Sequence, residues 1–171
     1  MQDNSKRQFY VSQDIYASLS HRFLNLLIDT LMELLLFFIL LVFIAANIEA
    51  TREKAFINNL GTNTILQYTI TTSIALLYYN ICEIFTARTV GKYFTQTIVV
   101  DENGEKPNHE TILIRSLCRL IPFNAFSFLG ISGRGWHDTI SKTYVVNKKL
   151  LAEKKRLFYA STLNENDNSD N

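Results

Sequence analysis

The stretch from Phe23 to Ala46 is apolar for long enough to cross a lipid bilayer, yet it carries Asp29 and Glu33, with Arg22 at its threshold. A spanning helix needs about 20 mostly apolar residues at 1.5 Å rise each, and Leu34 to Ala46 is unbroken apolar sequence. Hydrocarbon does not hydrate charge. A carboxylate near mid-membrane costs roughly 2.5–3.5 kcal/mol on insertion scales, so such side chains turn toward protein or a wet cavity. A second stretch, Ile65 to Phe85, has a similar length but is more polar, with Thr69, Thr71, Thr72, Ser73 and Asn80. Its hydroxyls are expected to meet another helix, because Ser and Thr serve as interhelical contacts in membranes. The alternative is two buried helices of a soluble bundle, but those are usually shorter and sharply amphipathic.

The expected fold is an all-α membrane protein: a two-span transmembrane helical hairpin with a cytoplasmic amphipathic or interfacial helix and a small β-hairpin. The spans cover about 22–46 and 64–87. The first reads as an uncleaved anchor, since its apolar run starts late and continues too far for a signal-peptide core. Orientation follows from the basic residues. Lys6, Arg7 and Arg22 precede the first span, only Arg52 and Lys54 lie between the spans, and 12 of the 17 basic residues follow the second. This bias places both termini in the cytoplasm and 47–63 outside. Cys82 and Cys118 are expected to be free thiols, and no Cys/His spacing suggests a metal or other cofactor.

The remaining organisation comprises a loose segment at 1–13, a membrane domain at 14–147, a basic amphipathic segment at 148–160 and a disordered tail at 161–171. Asn58 to Asn63 reads as the turn before the second span, and Gly91 as the stop after it. Thr95 to Asp101 is rich in β-branched residues and leads into Asn103-Gly104, a hairpin signal. Thr143 to Val146 is a second β-like run, and a small sheet pairing the two is expected. Glu110 to Leu120 reads as an amphipathic helix with Arg115 and Arg119 on one face, interrupted by Pro122. Glu110 to Ile131 then lies at the cytoplasmic surface, or forms a third, distorted span. The basic segment from Lys148 to Tyr159 is either a headgroup-binding or an ordinary solvated helix.

Asp29 follows Arg22 by seven positions and Glu33 follows Asp29 by four, so the three share a helix face. In an antiparallel hairpin Glu83 falls at the depth of Arg22, and Asn80 and Tyr79 nearer Asp29. Arg22 is expected to pair with Glu83, and Asp29 to face Asn80 or a tyrosine hydroxyl. Two carboxylates four apart in a poor dielectric share a proton, hold a cation or leave one neutral. That chemistry suits a proton- or cation-coupled carrier, and equally a structural lock between helices.

These residues resemble the RDD family of membrane proteins, named for one arginine and two aspartates. His21-Arg22 through Asp29 matches the arginine and first aspartate. Gly91-Lys92 followed by Thr97 to Asp101 matches the pair after the second span. Trp136-His137-Asp138 before Thr143-Tyr144-Val145-Val146 matches the second aspartate, and Arg115 and Arg119 resemble the basic segment between. The resemblance covers roughly Tyr16 to Val146 and implies a multi-pass membrane protein for which transport is the usual suggested role.

Three functions follow as expectations. A small oligomeric transporter or cation/proton exchange protein would line its route with Arg22, Asp29, Glu33 and Glu83, with His137 and Asp138 as a cytoplasmic relay. A non-transporting scaffold or accessory subunit would use the acids as assembly contacts and the basic residues for a partner. An enzyme is not expected, for want of a phosphate loop, nucleophile elbow or metal cluster; Asp138 suits capping a short helix or pairing with Arg115 or Arg119 better than a catalytic dyad. Expected partners are the lipid bilayer, a further copy or membrane subunit, and an ion or proton. The basic residues are explained by topology, so nucleic acid is not expected.

Overall fold

The computed structural model describes residues 8–47, 50–129 and 134–169. Lys6, Arg7 and Ile131, each invoked above, lie outside the described residues. Helix α1, Leu19–Asn47, is a Leu-rich run with neither Gly nor Pro, and its start is capped where the Ser18 hydroxyl accepts the His21 amide at 3.3 Å. α2, Ala50–Thr62, follows, and α3, Thr64–Thr86, returns alongside α1. The turn expected at Asn58 to Asn63 contracts to Asn63, whose side chain caps α3 by accepting from Leu66 N at 3.0 Å.

Among the described residues α1 alone is long and apolar enough to cross a membrane, and only 6% of its apolar window is buried within the chain. The expected pair of equivalent spans is thus carried by one qualifying helix. α3 has the length, but its hydroxyls and amide lower its hydropathy. Three of those hydroxyls and the amide are satisfied within α3 itself, and Thr72 lines a cavity shared with α1. Thr69, Thr71 and Ser73 bond their own helix carbonyls at 2.8–3.0 Å, and Asn80 bonds Leu76 O at 2.8 Å. Self-satisfaction of this kind is always within reach of a helical Ser or Thr, so hydroxyl content does not identify a helix interface.

α3 ends at Ala87, held in the left-handed region at φ 55° with its amide bonded to Glu83 O. Gly91 is therefore not the stop: it lies inside a short helix α4, Val90–Phe94. Its role is close approach. A Cβ there would stand 2.7 Å from Asn25 O and 2.9 Å from Asn25 Cα, both backbone atoms of α1.

Strand β1, Thr97–Val100, pairs antiparallel with β2, Tyr144–Asn147, in the register Thr97↔Asn147 to Val100↔Tyr144, as the β-branched content of both runs suggested. Asn103-Gly104 does not join two strands. It forms a local turn in which the Gly104 amide bonds Asp101 O and the Asp101 amide bonds Glu105 O, with Gly104 at φ 72°. The expected hairpin is replaced by a pairing across more than forty residues. Between the strands lie α5, His109–Cys118, capped by Asn108 and ended before Pro122, a 3-10 turn Asn124–Leu129, and α6, Trp136–Ile140. Within 110–129 the longest helix is the ten-residue α5, too short to span, so the third span is not found among the described residues.

The sheet carries the compact core. Phe9, Ile15, Val100, Val146 and Leu151 pack together, and Ala17, Val99 and Val145 form the opposite layer. Tyr16 bridges to Val146, and Ala17 N bonds Val145 O at 2.9 Å, so residues from Phe9 onward are built into this module, not loose. Helix α7, Lys148–Ser169, continues directly from β2 and runs beyond the 148–160 segment. Its apolar side is used within the chain: Leu151 is buried, and Phe158 meets Phe9 edge-on at 5.7 Å. Lys154 and Lys155 pair with Asp14 and Glu105.

Candidate functional site

The polar residues of α1 face a buried network where α1, α3, α4, α5 and α6 converge. At its centre Arg115 is fully buried and bridges two carboxylates. Its Nε donates to Glu83 at 2.9 Å, and its Nη1 donates to Asp138 and to Thr143 Oγ1. Glu83, also fully buried, accepts additionally from Lys92 Nζ at 3.0 Å and Arg119 Nη2 at 3.2 Å. Asp138 receives Arg22 Nη1 on its other oxygen, and the Gly135 amide at 3.4 Å, which caps α6.

Arg22 therefore pairs with Asp138 and not with Glu83, contrary to expectation. The depth argument considered only α1 and α3, whereas α5 brings Arg115 and Arg119 between them, and these occupy Glu83. The preferred reading of Asp138, a helix cap paired to an arginine, matches the geometry. Burial alone would raise its carboxyl, but Arg115 and Arg22 more than offset this and hold it well below the ordinary carboxylate range. Arg115 shows the converse: burial opposes its charge, and Asp138 and Glu83 outweigh that opposition. Lys92 lies low because burial, the largest influence, exceeds the pull of Glu83.

Asp29 belongs to an adjoining cluster, linked to the first where the Thr89 hydroxyl accepts from Lys92 Nζ at 3.3 Å. Its Oδ1 accepts from Tyr78 OH and Gly91 N, both at 2.8 Å, and its Oδ2 from the Thr89 hydroxyl at 2.7 Å. The expected tyrosine partner is found, though it is Tyr78; Asn80 turns to its own helix. Asn25, on the same face of α1, bonds Thr95 and Thr97, and donates to Gly91 O at 3.0 Å and His21 O at 3.2 Å. Thr95, Thr97 and Gly91, three uncharged partners, thus pin α4 and β1 to α1. The sequence carried a signal for Asn25: it is a polar residue between Arg22 and Asp29 on one helix face. Lys92, Thr97 and Thr143 lie in the motifs that resemble the family, but nothing in their spacing signals these contacts.

Glu33 stands apart from both clusters. It is half-buried and lines a cavity of about 350 Å³ between α1, α3 and α5, with Arg22, Leu26, Asp29, Ala75, Tyr79, Arg119 and Asn124 among its walls. That is within the range of small-molecule sites. The Arg119 guanidinium lies 3.6 Å over the Tyr79 ring, which fixes one wall. His137 is buried against Asn124, with Nε2 3.3 Å from Asp138. Burial keeps its pKa well below that of free imidazole despite Asp138. The described residues contain no group of His, Cys, Asp or Glu arranged to hold a metal ion.

The order Arg22, Asp29, Asp138, each buried and each holding a different part of this junction, coincides with a match to the RDD family over residues 16–142. The chain belongs to the RDD family. No curated protein and no solved structure gives a significant match. In this RDD protein the arginine and second aspartate form one ion pair, Arg22–Asp138, while the first aspartate anchors the loop after α3. The family residues meet at a helix junction, and the matched segment ends just before β2, the strand that closes the module.

Proposed function

We propose that this RDD protein is a multi-pass membrane protein that moves a small polar solute, with the cavity beside Glu33 as its cytoplasmic chamber. The observation that carries the reading is the cavity itself. It brings charged and hydroxyl groups together beneath a belt of exposed apolar side chains, including Leu31, Phe38 and Phe43 of α1 and Ile65, Leu77 and Phe85 of α3, each at least 58% exposed. Lipid covering this belt would isolate the polar interior from water except through the chamber. In this reading α3 is the second span, with its hydroxyls already satisfied along its own backbone. The sheet module of β1, β2 and residues 9–17 lies at the Arg22 end of α1, and positive-inside bias assigns that end to the cytoplasm. Two helices cannot enclose a route, so a further copy or a membrane partner completes it.

Within this scheme Asp29 is a structural residue, because both its oxygens already accept protein donors. Glu33 is the acid placed to meet a solute or proton. Flux of protons and small ions into proteoliposomes of purified protein, wild type beside Glu33→Gln, tests the assignment. Flux that falls at least tenfold in a variant with unchanged thermal midpoint supports it, and unchanged flux removes Glu33 from the route. A scaffold role is favoured by one observation, the saturation of Glu83 and Asp138 by fixed partners. Absence of flux in wild type, together with a stoichiometric membrane partner on extraction, selects that role.

A further inference from the structure

We infer that the cavity holds an oxyanionic group, anchored by Arg22. The inference deepens the chamber assignment above and rests on it for the direction from which a ligand enters. Arg22 uses only Nη1 in its ion pair with Asp138. Its Nε and Nη2 are buried and have no hydrogen-bond partner among the described residues, although its side chain is 5% exposed. Arg119 Nε, on the same cavity, is likewise unpartnered. A buried guanidinium donor left unmade carries its full desolvation penalty, so these groups are acceptor sites in waiting.

The pattern of what is free is informative. The Nε and Nη2 hydrogens of an arginine point the same way and form the side-on fork that grips a carboxylate or phosphate through two parallel bonds. The protein spends the other edge of Arg22 on Asp138 and leaves this fork intact. The carboxylates near it do not compete. Both oxygens of Asp29 are engaged by Tyr78, Thr89 and Gly91, and Glu33, eleven residues along α1, lies roughly 16 Å from Arg22 along the axis. Between fork and Glu33 the wall includes Leu26, Ala75 and Leu76. A fork at one end of an apolar-walled cavity suits a free oxyanion, and it suits equally the phosphate of an anionic lipid whose chain lies along the wall.

Binding is measured on the purified full chain in phosphatidylcholine nanodiscs titrated with inorganic phosphate, and in discs containing phosphatidylglycerol, with retained lipid counted by native mass spectrometry. Arg22→Lys keeps a charge for Asp138 but removes the fork. Ala75→Phe fills the cavity without touching any ion pair. The expected result is saturable phosphate binding, or one retained phosphatidylglycerol per chain, weakened about tenfold or more in both variants at unchanged thermal midpoint. Phosphate binding identifies a free solute, and lipid retention alone identifies a headgroup. No saturable binding of either, or unchanged affinity in either folded variant, overturns the inference; if Arg22→Lys does not fold, Ala75→Phe decides. Binding without flux leaves the oxyanion site standing and removes the transport reading, whereas flux without binding does the reverse.

Discussion

Replacing Arg115 by Ala separates a buried network from a set of incidental contacts. Among the described residues Arg115 alone pairs with both Glu83 and Asp138, and all three are fully buried. Glu83 would retain Lys92 at 3.0 Å and Arg119 at 3.2 Å, Asp138 would retain Arg22, and the Thr143 hydroxyl would lose its charged donor. Removing one partner of a buried ion pair costs about 3–5 kcal/mol, because the remaining charge stays desolvated. At about 1.4 kcal/mol per decade that lowers the folding constant by roughly 150- to 5,000-fold. Arg119→Ala is the internal control. It is the third cation on Glu83, its side chain is 17% exposed, and it stacks on Tyr79; with solvent screening its loss should cost about 1–2 kcal/mol. Unfolding in detergent, followed by labelling of the half-buried free thiols Cys82 and Cys118, reads both variants. A double-mutant cycle of Arg115→Ala with Asp138→Asn should give a coupling above about 1 kcal/mol. A larger loss for Arg119 than for Arg115, or additivity within about 0.5 kcal/mol in the cycle, refutes the central role of Arg115.

Two further outcomes follow from the geometry. Gly91→Ala places a methyl against the backbone of α1 at 2.7 Å, and overpacking of this kind should cost about 1–3 kcal/mol; a thermal midpoint equal to wild type would show that α4 does not press on α1. The depressed pKa of buried His137 sets a pH dependence. The unfolded chain takes up this proton below about pH 6.5 while the folded chain does not, so stability is full above that pH and falls as pH drops, by up to about 1.4 kcal/mol per unit. His137→Gln should flatten the slope between pH 6.5 and 5, and an unaltered slope would place the titration elsewhere.

The helix face shared by Arg22, Asp29 and Glu33 was legible because helical spacing is a local property, and so were the two β-branched runs. The partners were not legible. Arg22 and Asp138 are 116 positions apart, and no periodicity links them. Arg115 and Arg119 were correctly placed on one face, but that spacing does not say which acid they reach. Gly91 was misread because a glycine after a helix usually serves a left-handed turn, and here Ala87 takes that conformation while Gly91 serves contact. The greater polarity of α3 is plain in the sequence, but its length alone makes it read as a second span. The N-terminal stretch reads as loose because polarity hides single anchors such as Phe9.

The long separation between Arg22 and Asp138 orders events during synthesis. The ribosome delivers the guanidinium early and its counter-ion only after most of the remaining chain has emerged. The ion pair that closes this junction therefore forms only once residue 138, about four-fifths of the way along the 171-residue chain, has been made, and a nascent chain halted before it leaves the guanidinium of Arg22 without its carboxylate.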